Sequence, residues 1–418
     1  MTNNRIYLCL AHMSESGTEQ KYIKEAFDTN WVVPLGPNVN GFEKDLETFV
    51  GQGKRVVALS AGTAAVHLAL LACGVGPGDE VLVQSFTFCA SSHPVTYLGA
   101  TPVFVDSERE TWNMDPELLE EAIRDRIAKT GRKPKAIVPV ALYGMPYRID
   151  RIMEIADRYE IPVVEDAAEG FGSRFNGQVL GTFGRYGVLS FNGNKMITTS
   201  GGGALICGSE DEWREIMMYA TQYRESYPYY QHEKIGYNYR MSNICAGIGR
   251  GQMTVANDHI AHHKHVQKLY EELLKDVEGI NVHSQPETGE YDSNYWLCTV
   301  TVGEDVQVKG QENAYKSIVT GAVGGAAGVI HAASSATTDC QPNDNVEALR
   351  MALDRAGIES RPLWKPMHRQ PVYQTSPAYV NGVSESLFRR GLCLPSGPMV
   401  SDDDVCYIIR NIRDALVR

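Results

Sequence analysis

RIDRIMEIADRYEIPVVEDAAEG, residues 148–170, is the stretch whose reading decides the fold. An amphipathic helix over Arg148–Tyr159 gives way to an apolar strand over Ile161–Val164, which runs straight into Glu165 and Asp166. The same alternation extends on both sides. Strands are expected at Arg55–Leu59, Glu80–Val83, Thr101–Val105, Ala136–Val140, Gly187–Phe191 and Gly203–Ile206, and further helices at Thr63–Cys73 and Asp115–Lys129. Asp115, followed by Pro116 and Glu117, has the acidic first turn of a helix N-cap. Near-continuously apolar strands alternating with helices predict a mainly parallel sheet covered on both faces, a doubly wound α/β fold. Ligands of such sheets bind at the carboxyl ends of the strands, which is where Asp166 stands.

The texture changes after about Thr254. A long polar helix over His259–Val277 carries His262, His263 and His265, read as surface residues of a solvated helix rather than metal ligands. A helix over Asp402–Val417 closes the chain. The expected division is a large α/β domain over residues 10–255 and a smaller α+β domain over 256–418 together with the N-terminal segment. Val306–Asn343 reads as a surface insertion. Its Gly321–Gly328 core has the glycine content of a dinucleotide loop but no strand-linked fingerprint followed by an acid.

Composition narrows the function. The chain has 418 residues, 43% of them hydrophobic and 22% charged, with a formal net charge of −12. That balance suits a globular protein and argues against a general binder of nucleic acid or anionic membrane. The apolar run Ile6–Ala11 is too short for a signal-peptide core, and no stretch reaches a spanning length. Nine scattered cysteines without a CxxC pair point to reduced thiols in a cytoplasm and give no support to a metal site.

Four elements carry chemistry. Lys195 follows Ser190-Phe191-Asn192-Gly193-Asn194 between two apolar strands, with no other charged residue from Tyr186 to Leu205. Partial burial of such an amine favours its neutral form and suits Schiff-base chemistry; a solvent-facing hairpin lysine is the bland alternative. Asp166, at a strand end, can pair with a protonated pyridine nitrogen, or can simply cap a helix. Ser60-Ala61-Gly62-Thr63 joins a strand to a helix N-terminus, which can receive a phosphate or be an ordinary cap; Ser190 offers another hydroxyl. Phe88, in Phe86-Thr87-Phe88, can stack on a flat ring or belong to the core.

SFNGNK with ITTSGGG, EDAAE, SAGTAAVHLAL, QSFTF, GYNYRMSN (Gly236–Asn243) and ESRPLWKPMH (Glu359–His368) together resemble the DegT/DnrJ/StrS sugar aminotransferases, in order over nearly the whole chain. The resemblance implies fold type I with a seven-stranded sheet, pyridoxal 5′-phosphate (PLP) as cofactor, and a homodimer with shared active sites. It implies that Lys195 bonds the cofactor and shuttles a proton, that Asp166 pairs with the ring nitrogen, and that Glu169 lies beside the 3-hydroxyl. It also implies that Gly62, Thr63 and Ser190 hold the phosphate, with Asn238 reaching it from a second subunit, and that Phe88 stacks on the ring. Trp364, Lys365 and His368 are implied to meet the sugar nucleotide.

RPLWKPMH and GYNYRMSN most resemble transaminases acting on UDP-4-keto-6-deoxy-N-acetylglucosamine, the bacillosamine type. The expected reaction is amination of that keto sugar with glutamate as donor. Another nucleotide-linked keto sugar (GDP-perosamine type or a 3-keto sugar) and a non-catalytic or regulatory relative are the alternatives. Two departures touch the substrate: Ala61 stands where close relatives carry serine, and Tyr295 where they carry arginine. Arg224, Arg240 and Arg361 are open candidates for holding the donor carboxylate.

Overall fold

The computed structural model describes residues 5–314 and 340–417. The central strands are β1 (Arg55–Leu59), β2 (Glu80–Gln84), β3 (Thr101–Val105), β4 (Ala136–Val138), β5 (Val164–Asp166), β6 (Tyr186–Ser190) and β7 (Gly203–Cys207). They pair as two four-stranded sheets, β1-β7-β6-β5 and β4-β2-β3 with Ala378–Tyr379 at its edge. Isolated parallel bridges Ile137–Val163 and Val140–Asp166 join the two between β4 and β5. β7 runs against both β1 and β6, while β5–β6, β4–β2, β2–β3 and the pairing of Ala378–Tyr379 with β3 are parallel. The mainly parallel sheet therefore carries one reversed strand, and a segment from the C-terminal part of the chain completes its edge.

Successive side chains of a strand point to opposite faces, and the core follows that rule. Val56 and Ala58 of β1 and Leu82 of β2 enter one apolar cluster; Val57, Leu59, Val81 and Val83 enter the other. Burial on both faces is why these strands read as unbroken apolar runs. Two boundaries differ from expectation for one reason. Pro139 and Pro162 lack the amide hydrogen a ladder needs, so β4 stops at Val138 and β5 begins at Val164. The carboxylates Glu165 and Asp166 thus lie inside β5 rather than beyond it. A second, antiparallel sheet of Ile280–Val282, Cys298–Val302, Gly391–Leu394 and Arg361–Pro362 packs a third cluster against the helices Ala256–Leu274 and Asp402–Ala415. No helix among the described residues is long and apolar enough to cross a membrane.

Two sequence expectations need correction. Val306–Asn343 does not begin as a surface insertion: Val308 and Ala314 belong to the third core and Cys340 is buried. Residues 315–339, which contain Gly321–Gly328, lie outside the described residues. The histidines of the long helix are not all on its surface either. His265 is exposed, but His263 is fully buried, its Nδ1–H donating to the Tyr295 carbonyl at 3.1 Å, because its position on the helix faces the connection before Cys298–Val302. No cluster of potential metal ligands occurs among the described residues.

Burial pushes the His263 imidazole down to about 3. Its stabilising share is complete above the unfolded value of about 6.5 and is lost as pH falls toward the folded value, because the unfolded chain takes up a proton that the folded chain refuses. His263→Gln should lose less stability than wild type between about pH 7.5 and pH 4.5 in denaturant titrations. Equal losses would remove His263 from the acid sensitivity.

Candidate active site

Because β7 reverses between them, β1 and β6 point the same way as β5 and β2, and the carboxyl ends of all four strands meet at one edge of the sheet. A cavity of about 270 Å³ opens there, at the seam between the two sheets. Gly62, Thr63, Phe88, Asp166, Glu169, Ser190, Lys195 and Trp364 all line it. These residues come from five separate stretches of chain.

The turn after β1 leads into the helix Gly62–Ala72, whose N-cap Ala61 supplies no side-chain cap. The first amides of that helix therefore face the cavity without a side-chain acceptor, at the positive end of the helix dipole, a ready cradle for a phosphate. The approach is close. A Cβ on Gly203 would lie 2.4 Å from the Gly62 nitrogen, and one on Gly62 would lie 3.0 Å from the Ser190 Cβ. The glycines let the helix end and the end of β6 share one wall.

Asp166 closes β5, its backbone N–H donating to the Pro139 carbonyl and its own carbonyl accepting from Ala141. Its Oδ2 accepts from Ser91 Oγ at 2.6 Å, its Oδ1 from the Ala168 amide at 3.2 Å, and Ser91 is in turn bonded to Thr87. Burial raises the carboxyl above its usual range, against those two bonds and the charge of Lys195. Glu165 points the other way, accepting from the Gly181, Phe183 and Gly184 amides, so of the two adjacent carboxylates only Asp166 serves the cavity.

Lys195 sits on the connection between β6 and β7, a loop closed by Phe191 N–H to Gly202 O and Thr199 N–H to Phe191 O. Its side chain is 13% exposed, with Nζ 3.5 Å from Glu169 Oε1 and 4.0 Å from the centroid of the Trp296 ring. Burial raises the Glu169 carboxyl, opposed first by Lys195 and then by the Tyr143 amide. Phe88 is half exposed, its ring 5.5 Å from that of Trp364. A buried carboxylate, a sheltered amine, an uncapped helix end and an open aromatic face together fit a flat ring that bears a phosphate, a basic nitrogen and an aldehyde.

A second cavity of about 490 Å³ shares Thr87, Phe88 and Trp364 with the first and is lined also by Lys365 and Gln370. His368 lies outside both walls, bonded to Ser85 Oγ at 2.7 Å and Glu385 Oε1 at 3.2 Å. Asn238 is exposed, in an isolated bridge with Thr221, and does not line its own chain's cavity. Ala61 is in the wall, whereas the Tyr295 hydroxyl turns away to accept from the Gln285 amide at 3.2 Å. Arg240 is paired with Glu43, Arg361 with Glu359, and Arg224 lies over the Tyr230 ring; none of the three lines the cavity. Sequence reasoning missed Ser91, Thr87 and Trp296 as parts of the site. Ser91 and Trp296 are recruited by Asp166 and Asn194, partners distant in the chain, and Thr87 enters through its neighbour Ser91.

The sequence pattern of the DegT/DnrJ/EryC1/StrS aminotransferase family matches residues 13–317 and 325–413. EpsN of Bacillus subtilis is 41% identical over 97% of this chain and 95% of its own. The GDP-perosamine synthase of Escherichia coli O157:H7 is 33% identical over 98% of each chain. The crystal structure of a DegT DnrJ EryC1 StrS aminotransferase from Brucella abortus superposes with a TM-score of 0.81 at 28% identity, covering 96% of this chain and 95% of that one.

Proposed function

From the premise that this chain belongs to the DegT/DnrJ/EryC1/StrS aminotransferase family and is a PLP-dependent sugar aminotransferase, we propose that it aminates UDP-linked 4-keto-6-deoxy-N-acetylglucosamine, taking the amine from glutamate, as a cytoplasmic homodimer. The observation that carries the assignment of roles is the convergence of Lys195, Asp166 and the uncapped Gly62–Ala72 helix end on one cavity.

When bound, PLP supplies an electron sink that stabilises negative charge at the reacting carbon of the amino donor or the sugar. The chain's own residues do the rest. The Gly62 and Thr63 amides and the Ser190 hydroxyl hold the phosphate, and Asp166 keeps a proton on the ring nitrogen. Phe88 covers one face of the ring, and Glu169 stands beside its hydroxyl. The Lys195 Nζ takes a proton from one carbon and returns it to another, as a base sheltered from water. The keto sugar occupies the first cavity, and Trp364 and Lys365 receive its nucleotide diphosphate in the second, with the lysine supplying positive charge. His368 takes part only by fixing this wall through Ser85.

The likeness to a GDP-perosamine synthase over 98% of each chain favours a second reading in which the nucleotide is GDP. A turnover panel of UDP-, GDP- and dTDP-linked 4-keto and 3-keto sugars decides between them. UDP-4-keto-6-deoxy-N-acetylglucosamine should give the largest kcat/KM, and a preference for a GDP or 3-keto sugar would overturn the UDP assignment.

Asn238 completes the phosphate site of the partner subunit in this proposal. Two inactive proteins, Lys195→Ala and Asn238→Asp, mixed in equal amounts, should then recover about a quarter of wild-type activity once their subunits exchange, because about half of the dimers are mixed and one of the two sites in each mixed dimer receives both intact residues. Absence of recovery after confirmed exchange would place the whole site in one chain.

A further inference from the structure

We propose that Glu169 and Trp296 form a seat that holds the Lys195 amine beside the reacting carbon whenever it is not bonded to the cofactor, with Trp296 as the positioning residue. The proposal rests on the assignment of Lys195 as the cofactor-bonding lysine. An amine that is released in each half-reaction and must then carry a proton stands at the tip of a four-carbon stem with many rotamers. Without a seat it samples positions from which no transfer occurs.

The geometry of such a seat is present. Nζ lies 4.0 Å from the Trp296 ring centroid and 3.5 Å from Glu169 Oε1, so an aromatic face and a carboxylate receive it together. Trp296 is 1% exposed, and its indole N–H donates to the Asn194 carbonyl at 2.7 Å, tying the ring to the residue just before the lysine. The Glu169 Oε2 is occupied by the Tyr143 amide at 2.6 Å, which leaves Oε1 for the amine. Buried Asn294 joins the two halves: its Nδ2 donates to the Glu169 carbonyl at 2.9 Å and its Oδ1 accepts from the Trp296 amide at 2.8 Å. Seat and lysine loop are therefore one hydrogen-bonded body. Chance packing of a tryptophan against a lysine does not require that link.

The test uses holoenzyme converted by excess glutamate to its pyridoxamine form, in which the Lys195 amine is unbonded. Limiting acetic anhydride is added, and Lys195 acetylation is followed by mass spectrometry relative to exposed Lys268. Trp296→Leu should acetylate Lys195 about tenfold faster than wild type and lower kcat while leaving the KM for glutamate within about twofold. Trp296→Phe, which keeps the aromatic face and loses the N–H, should stay within about threefold of wild type in acetylation. Glu169→Gln, which keeps the Tyr143 bond and loses the charge, should also expose the amine, and it carries the test if the leucine variant does not fold. Unchanged acetylation in both the leucine and glutamine variants, or equal acceleration in the leucine and phenylalanine variants, would overturn the seat. Borohydride reduction of the PLP form, with peptide mapping, reports separately on the underlying assignment: a label on another lysine defeats that assignment, whereas a label on Lys195 with unchanged acetylation defeats only the seat.

Discussion

Lys195→Ala should lower turnover of glutamate and keto-sugar nucleotide by about four orders of magnitude while the protein still folds and binds PLP. The size of the effect follows from the two duties placed on one amine. In the proposed mechanism it would hold the cofactor covalently in the resting enzyme and would carry the proton between carbons. Among the described residues no second lysine lines the cavity. Glu169 stands 3.5 Å away, but it is anchored by the Tyr143 amide and cannot take the lysine's place at the reacting carbon. Retention of cofactor follows from the parts the substitution leaves alone: the uncapped helix end, Ser190 and Asp166. Truncation also removes a cation from beside two buried carboxylates, so the apoprotein is expected to melt at or slightly below the wild-type temperature. Steady-state assay and the absorbance of bound cofactor check both halves. Turnover near the wild-type rate would show that the reacting amine belongs to another residue.

Asp166→Asn should slow the glutamate half-reaction by roughly a hundred- to a thousandfold, with cofactor still bound. Asp166 is a buried carboxylate whose carboxyl burial has raised, so its charge is costly until a cation arrives opposite it. In the proposed site a protonated ring nitrogen would be that cation, and pairing would return the carboxylate to its ionised form while holding the proton on the ring. Asparagine keeps the shape and can still accept from Ser91 or the Ala168 amide, but it has no charge to hold the proton. The same substitution removes the cost of the buried charge. The cofactor-free variant is thus expected to be at least as stable as cofactor-free wild type, which places stability and activity in opposition at this position. Single-turnover absorbance with glutamate and thermal melts of the apoprotein measure the two effects. An unchanged single-turnover rate would leave Asp166 a structural duty only.

Much of the architecture was legible because it depends on local properties. β1 and β3 lie where their apolar runs lie, and Asp115 caps its helix, accepting from the Glu117 and Leu118 amides. The errors were also physical. The prolines at 139 and 162 shortened one strand and displaced another, because a ladder needs an amide hydrogen that hydropathy does not record. The polar composition of its helix implies a surface position for His263, but one face of that helix is packed under the Tyr295 backbone.

Sequence by itself determined the α/β alternation, the end of the strand bearing Asp166, the uncharged glycine-flanked setting of Lys195 and the small-residue turn at Ser60–Thr63. Each is a matter of periodicity or of neighbours along the chain. Tertiary structure alone decided which of these share a cavity, that Glu165 anchors a loop while Asp166 faces the site, and that Arg240, Arg361 and His368 are committed to Glu43, Glu359 and Ser85. It alone also placed Trp296 against Lys195, through a hydrogen bond to Asn194 across 102 positions of sequence. The physical reason is that hydrogen bonds and ring contacts depend on distance in space, and folding sets that distance independently of separation along the chain.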